Sequence, residues 1–135
     1  MNKSEIKAFL KSMFPQLESS TLDEFVDCCD YKKLAKGTEL IQEGKRHQFF
    51  YLISKGSVKS YYLKQGKEIC TWFAFEKEMI STIKSFNGLP SNETIKLLED
   101  SELIRINIEA FKTLAKTKIT VSHLLIDLIS EYAVF

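Results

Sequence analysis

Apolar side chains in the opening segment recur at helical spacing. Ile6, Phe9, Leu10 and Met13 fall at i, i+3, i+4 and i+7, which predicts a short helix over Lys3 to Met13, stopped by Pro15. A second helix is predicted from Thr21, whose hydroxyl and the carboxylate of Glu24 three residues on have the form of a capping box. Leu22, Phe25, Val26 and Cys29 supply its apolar stripe. From Tyr31 the period drops to two. Short runs rich in Phe, Tyr, Ile, Val and Trp are separated by Gly37, Gly44, Gly56 and Gly66, and such runs favour strands joined by tight turns. The pattern predicts strands near Tyr31–Leu34, Glu39–Gln42, Phe49–Ser54, Ser57–Lys64 and Lys67–Phe75, with a hairpin tip at Gln65-Gly66-Lys67. Turn signals this close together argue for a β-sandwich or barrel, not a βαβ unit.

The last of these strands is apolar on both sides. Ile69, Thr71, Phe73 and Phe75 alternate with Cys70, Trp72 and Ala74, which predicts burial on both faces or a place beside a pocket. The chain between Glu76 and Asn92 reads as a helical turn, Ser81 to Ser85, followed by the loop Phe86 to Ser91. Two more strands, Glu93–Glu99 and Glu102–Asn107, are joined at Asp100-Ser101. Asn107 can cap a following helix that buries Ala110, Phe111 and Leu114. A longer helix begins near Lys118 to Thr120, and Val121, Leu125, Leu128, Tyr132 and Phe135 form a heptad stripe along it. That stripe can pack on the chain's own barrel or pair two subunits. It runs to the last residue with no Gly, Pro or basic turn to end it, as in a helix cut in mid-course.

Composition narrows the class. The chain has 135 residues, 44% hydrophobic and 27% charged, enough apolar material for one core in one domain. A net charge of +1 speaks against a nucleic-acid surface spread over the whole chain. No apolar run approaches the roughly 20 residues of a membrane span, and no membrane contact is expected. Cys28, Cys29 and Cys70 are too few and unevenly placed for a disulfide framework, so they read as thiols of a cytoplasmic protein.

The order of elements resembles the effector domain of the Crp/Fnr family of bacterial transcription regulators, the cyclic-nucleotide-binding fold. The resemblance rests on Lys36-Gly37-Thr38 with Leu40 and Glu43-Gly44, on Tyr51-Leu52-Ile53 with Gly56-Ser57-Val58, and on the strand-to-helix step from Glu102 to Phe111. It implies a mixed, mainly β fold: a double-stranded β-helix jelly roll over 31–107, a helical lead-in over 1–30, and C-terminal helices over 108–135 that dimerise. It also implies a helix-turn-helix domain beyond Phe135, so that DNA would be met only through a part outside this chain.

The ligand segment departs from the family pattern. In cyclic-nucleotide binders a Gly-Glu pair opens this segment and Arg followed by Ser or Thr closes it. The Arg and backbone amides meet the phosphate, and the Glu accepts from the ribose. Here Ile80-Ser81 and Ser91-Asn92 stand at those places, and Lys77 and Lys84 do not match the Arg. Losing a bidentate phosphate partner makes cyclic AMP binding doubtful. A different small-molecule effector could use the neutral groups of Ser81, Thr82, Ser85, Ser91 and Asn92, with Trp72 or Tyr62 stacked on a ring. The plainer reading of those polar residues is a loop and its caps.

No cofactor is expected. A jelly-roll metal enzyme of the cupin kind needs two or three His beside a carboxylate, and the chain has only His47 and His123. No phosphate-binding Gly loop or nucleophile elbow occurs, and the Cys placement cannot supply an iron–sulfur set. The sequence therefore reads as a non-enzymatic sensing and dimerisation domain of a Crp/Fnr-like regulator with a degenerate phosphate segment. The alternative is a stand-alone interaction module of the same fold with no small-molecule ligand.

Overall fold

The computed structural model describes every residue except Thr82, Val134 and Phe135, with the side chains of Ile83, Glu131, Tyr132 and Ala133 also left aside. Helix α1 spans Lys3–Met13, and a capping box closes its start: Glu5 N–H donates to Asn2 Oδ1 and Asn2 N–H to Glu5 Oε1. Helix α2, Ser19–Val26, begins two residues before the predicted start. Glu18 precedes it with no side-chain cap, and Thr21 is buried inside the helix, so the box drawn between Thr21 and Glu24 does not form. Burial decides the matter, because Thr21 and Leu22 both lie on the packed face. The helix ends at Val26, and Cys29 opens the first strand instead of extending the helical stripe.

Among the described residues eight strands follow: β1 Cys29–Leu34, β2 Glu39–Ile41, β3 Phe49–Lys55, β4 Val58–Lys64, β5 Lys67–Ala74, β6 Met79–Ile80, β7 Thr94–Leu97 and β8 Ser101–Asn107. They form two antiparallel four-stranded sheets, ordered β1-β8-β3-β6 and β2-β7-β4-β5, which is the jelly roll that the resemblance implies. Gln65 and Gly66, at φ +54° and +78°, make the two-residue turn between β4 and β5. β6 is a two-residue strand that the sequence pattern missed; it pairs with Tyr51 and Leu52 of β3.

Alternation along β3 and β8 builds two cores at once. Phe50, Leu52, Ile104 and Ile106 face the helices, joining Leu10, Leu22, Phe25 and Phe111. Tyr51, Ile53 and Leu103 face the barrel interior, joining Leu40, Ile41, Val58, Ile80, Ile95 and Leu97. Four aromatic contacts chain the helical side together: Phe86 to Phe50 and Phe50 to Phe111, then Phe111 to Phe25 and Phe25 to Phe14.

β5 overturns its forecast. It is the edge strand of the second sheet, and from Lys67 to Phe73 every residue but Trp72 is exposed. A bulge also breaks its simple alternation. Ser60 faces Trp72 while Tyr61 faces Cys70, which leaves Thr71 without a partner residue.

Asn107 caps helix α4, Ile108–Thr117, by accepting from Ala110 N–H at 2.8 Å. Helix α5 spans Ile119–Ala133. Val121 and Leu128 are buried in the helical core, and the half-buried Leu125 packs against it. Tyr132 and Phe135, the rest of the predicted seam, lie outside the described side chains. Among the described side chains, the large apolar residues that α5 turns outward are Ile119 and Ile126, 72% and 56% exposed.

Candidate functional site

The segment between β6 and β7 is the part of the jelly roll where the ligand signature was sought. Ile80 ends β6 opposite Tyr51 and is fully buried in the barrel core, so it is a wall of the interior. Ser81 is buried behind it, and Ser85 is buried within the short helix α3, Ile83–Phe86. Thr82 lies outside the described residues. The last residue of α3, Phe86, inserts its ring between the sheet and the helices, and Lys112 of α4 donates to its carbonyl.

At the far end of the segment, Ser91 is committed to the loop. Its hydroxyl donates to the carbonyl of Glu93 at 2.7 Å and accepts from Glu93 N–H at 3.1 Å. Ser91 also bridges to Glu43, and Gly44 N–H donates to its carbonyl at 2.8 Å. Asn92 is exposed and accepts from Lys84 Nζ at 2.9 Å, so the cation of the segment ties α3 to the loop. Of the polar candidates, Ser81, Ser85 and Ser91 are each buried, whereas Asn92 is exposed.

The structure adds three residues that sequence reasoning passed over. Glu93 is half-buried, and its Oε2 accepts from Ser60 Oγ at 2.5 Å and from Thr71 Oγ1 at 3.2 Å. Ser60 is wholly buried. Thr71 is the bulged residue of β5, and its hydroxyl reaches the Ser60 carbonyl as well, at 3.2 Å. Trp72, half-buried beside Thr71, packs against the barrel core, and Tyr62 is half-buried on β4. A signal for Glu93 did exist, since it follows Ser91-Asn92 directly. The bulge that aims Thr71 at it had none.

Elsewhere, Arg105 of β8 forms a bidentate pair with Asp30 of β1, Nε to Oδ1 at 3.0 Å and Nη2 to Oδ2 at 2.8 Å, and lies 4.1 Å from the centre of the Phe49 ring. The Arg105 hydrogen bonds hold the Asp30 carboxyl below its ordinary range. This cation is occupied within the sheet. His47 closes its own turn, its Nε2 accepting from Gln42 N–H at 2.9 Å. Burial raises the Cys28 and Cys29 thiols above their ordinary range, and each donates to a carbonyl of α2. Among the described residues, no three His, Cys, Asp or Glu side chains gather as metal ligands, and no helix is long and apolar enough to cross a membrane.

Comparison with known proteins now places the chain. The family model of the cyclic nucleotide-binding domain matches residues 31–118, from β1 through α4 to Lys118, more than half of the chain. The chain belongs to the cyclic nucleotide-binding domain family. Among solved structures of this fold, the sensor domain of the transcriptional regulator DNR from Pseudomonas aeruginosa superposes with a TM-score of 0.81 at 22% identity, covering 96% of this chain and 89% of that one. The regulatory domain of Toxoplasma gondii PKA with cAMP gives 0.80 at 18% identity, covering 96% of this chain and 50% of that chain. The regulatory subunit of a cAMP-independent protein kinase A from Trypanosoma cruzi, bound to guanosine, gives 0.77 at 15% identity, over 91% of this chain and 44% of that one. No curated protein sequence matches the chain. These neighbours are sensor or regulatory domains, not catalytic ones.

Proposed function

We infer that this cyclic nucleotide-binding domain is the sensing part of a bacterial transcription regulator of the Crp/Fnr kind, and that its cleft is adapted to something other than cyclic AMP. The observation that carries the reading is the chemistry of the segment from Ile80 to Glu93. Ile80 and Ser81 stand where the family's Gly-Glu opens the segment, and Ser91 and Asn92 stand where Arg-Ser closes it. Ser91 is spent on the loop, Asn92 on Lys84, and a carboxylate follows. A phosphate needs a fixed cation and free amide or hydroxyl donors. Here the segment's Lys84 is engaged, and Ser60 and Thr71 already donate to Glu93.

A sensor needs a route from ligand to output. Phe86 ends α3 in the same aromatic chain as Phe50 and Phe111, so a shift of α3 presses on α4 and through it on α5. Ligand-dependent repositioning of α4 and α5 would set the spacing of two DNA-reading units in a homodimer. A pairing surface on α5 would use Ile119 and Ile126.

The guanosine-bound neighbour supports an uncharged ligand as the first class to test. A ligand that binds only the folded state raises the melting temperature as its concentration exceeds Kd. In a thermal-shift series, uncharged nucleosides such as guanosine should raise Tm, and cyclic AMP at the same concentration should not. The reverse ranking defeats the reading. No response to any member of the series, together with a stable dimer, favours the second reading, a protein-interaction module. That reading has its own observation in the exposed Leu63, Phe73 and Phe75 along the β4–β5 edge.

A further inference from the structure

The carboxylate of Glu93 is held at both ends. Its backbone is clasped by Ser91, whose hydroxyl both donates to and accepts from it. Its side chain accepts from Ser60 and Thr71, one on the fully buried inner row of β4, the other on the bulge of β5. The neighbouring Thr94 is fixed too, its Oγ1 accepting from Glu43 N–H at 3.0 Å. Among the described residues no Lys or Arg pairs with Glu93. Glu93 is thus a half-buried acidic side chain held by neutral hydroxyls, directly after the Ser91-Asn92 pair that stands at the closing end of the segment. Two features of the cleft follow. It holds an acidic side chain, and the Ser60 and Thr71 hydroxyls, which an incoming anion would seek, already donate to that side chain.

We propose that Glu93 is the specificity-determining residue of this cleft. Its carboxylate turns away phosphate-bearing ligands and accepts a hydrogen bond from a hydroxyl or amine of an uncharged or cationic one. The inference rests on the reading of the cleft as a ligand site. It goes further than the missing Arg, because it assigns the refusal of anions to a group that is present, and a present group can be neutralised. Glu93→Gln removes the charge and keeps an acceptor for Ser60 and Thr71. Glu93→Ala removes both.

The test is an NMR titration of the isotopically labelled chain with cyclic AMP, which reads dissociation constants into the millimolar range. It is run on wild type, E93Q and E93A at low and at physiological salt, each variant first checked for a native amide spectrum. The expected result is at least a tenfold tightening of cyclic AMP in both variants, larger at low salt, with shifts at residues 60, 71 and 80–93. Affinity within twofold of wild type in both variants overturns the inference. Micromolar binding by wild type that tightens further in E93Q overturns only the reading of the cleft as closed to cyclic AMP. Micromolar binding by wild type that is unchanged in E93Q overturns both.

Discussion

Strands β3 and β5 are close in apolar content and opposite in fate. In β3, Phe50 and Leu52 lie under the helices while Tyr51 and Ile53 fill the barrel, so the strand is buried on both faces. In β5, Ile69 and Phe73 are 37% and 52% exposed, and the strand closes the sheet with a free edge. Position makes the difference. β3 lies between β8 and β6 in the sheet that carries the helices, whereas β5 is the edge of its sheet, paired with β4, and brings Trp72 and Ala74 to the barrel core. Apolar composition tells that a residue tolerates burial; sheet order decides whether it is buried. The exposed edge still serves a purpose, because the bulge that frees Thr71 from the ladder is what brings its hydroxyl to Glu93.

Substitutions along the two strands should separate them widely. Phe50→Ala empties a fully buried site shared by Phe86 and Phe111 and should cost about 3–5 kcal/mol in a denaturant titration. A loss below about 1 kcal/mol would mean that the core around β3 collapses to fill the gap. Gly56 joins β3 to β4 at φ +124°, and a Cβ there would lie 2.0 Å from Ser101 Oγ and 2.6 Å from Ser101 Cβ. Gly56→Ala should therefore cost about 2–4 kcal/mol by the same measurement. Wild-type stability in that variant would show that β8 can move away from β3.

Smaller effects sharpen the contrast. Arg105, opposite Tyr51 on β3, pairs with Asp30, whose side chain is 46% exposed. The Asp30 carboxyl is depressed by the Arg105 hydrogen bonds, so its contribution is present above the unfolded carboxyl range, near pH 4, and fades as pH falls through the lower folded value. Solvent screening limits it to about 0.5–1 kcal/mol. Asp30→Asn should lower Tm at pH 7 and by visibly less at pH 3; an equal difference at both would remove the electrostatic cause. Phe73→Ser on β5 should change stability by no more than about 0.5 kcal/mol, because half of the ring already meets water. A loss near that of Phe50→Ala would mean that something covers the edge in solution.

Much of the scaffold was legible. Strand periodicity, the glycines at turns and Asn107 before α4 gave the element order, and the family resemblance supplied the pairing of sheets. What failed did so for physical reasons. Thr21 has capping chemistry but is needed on the buried face of α2, and burial won. The heptad spacing of Val121 and Leu128 is a different case: it allowed packing on the chain's own core or on a partner, and both residues are buried in that core. β6 is too short to show a period. The candidate site was located by register with the family segment, and its missing Arg was readable. The hydrogen bonds of Glu93 were not, because its partners lie 33 and 22 positions away and one of them sits on a bulge.

The most direct test of the account is calorimetric titration of the wild-type chain with cyclic AMP at low ionic strength, where any attraction to phosphate is strongest. The account predicts no saturable heat up to millimolar nucleotide. Saturable binding at micromolar concentration would contradict it, and would mean that residues other than a paired Arg hold the phosphate in this fold.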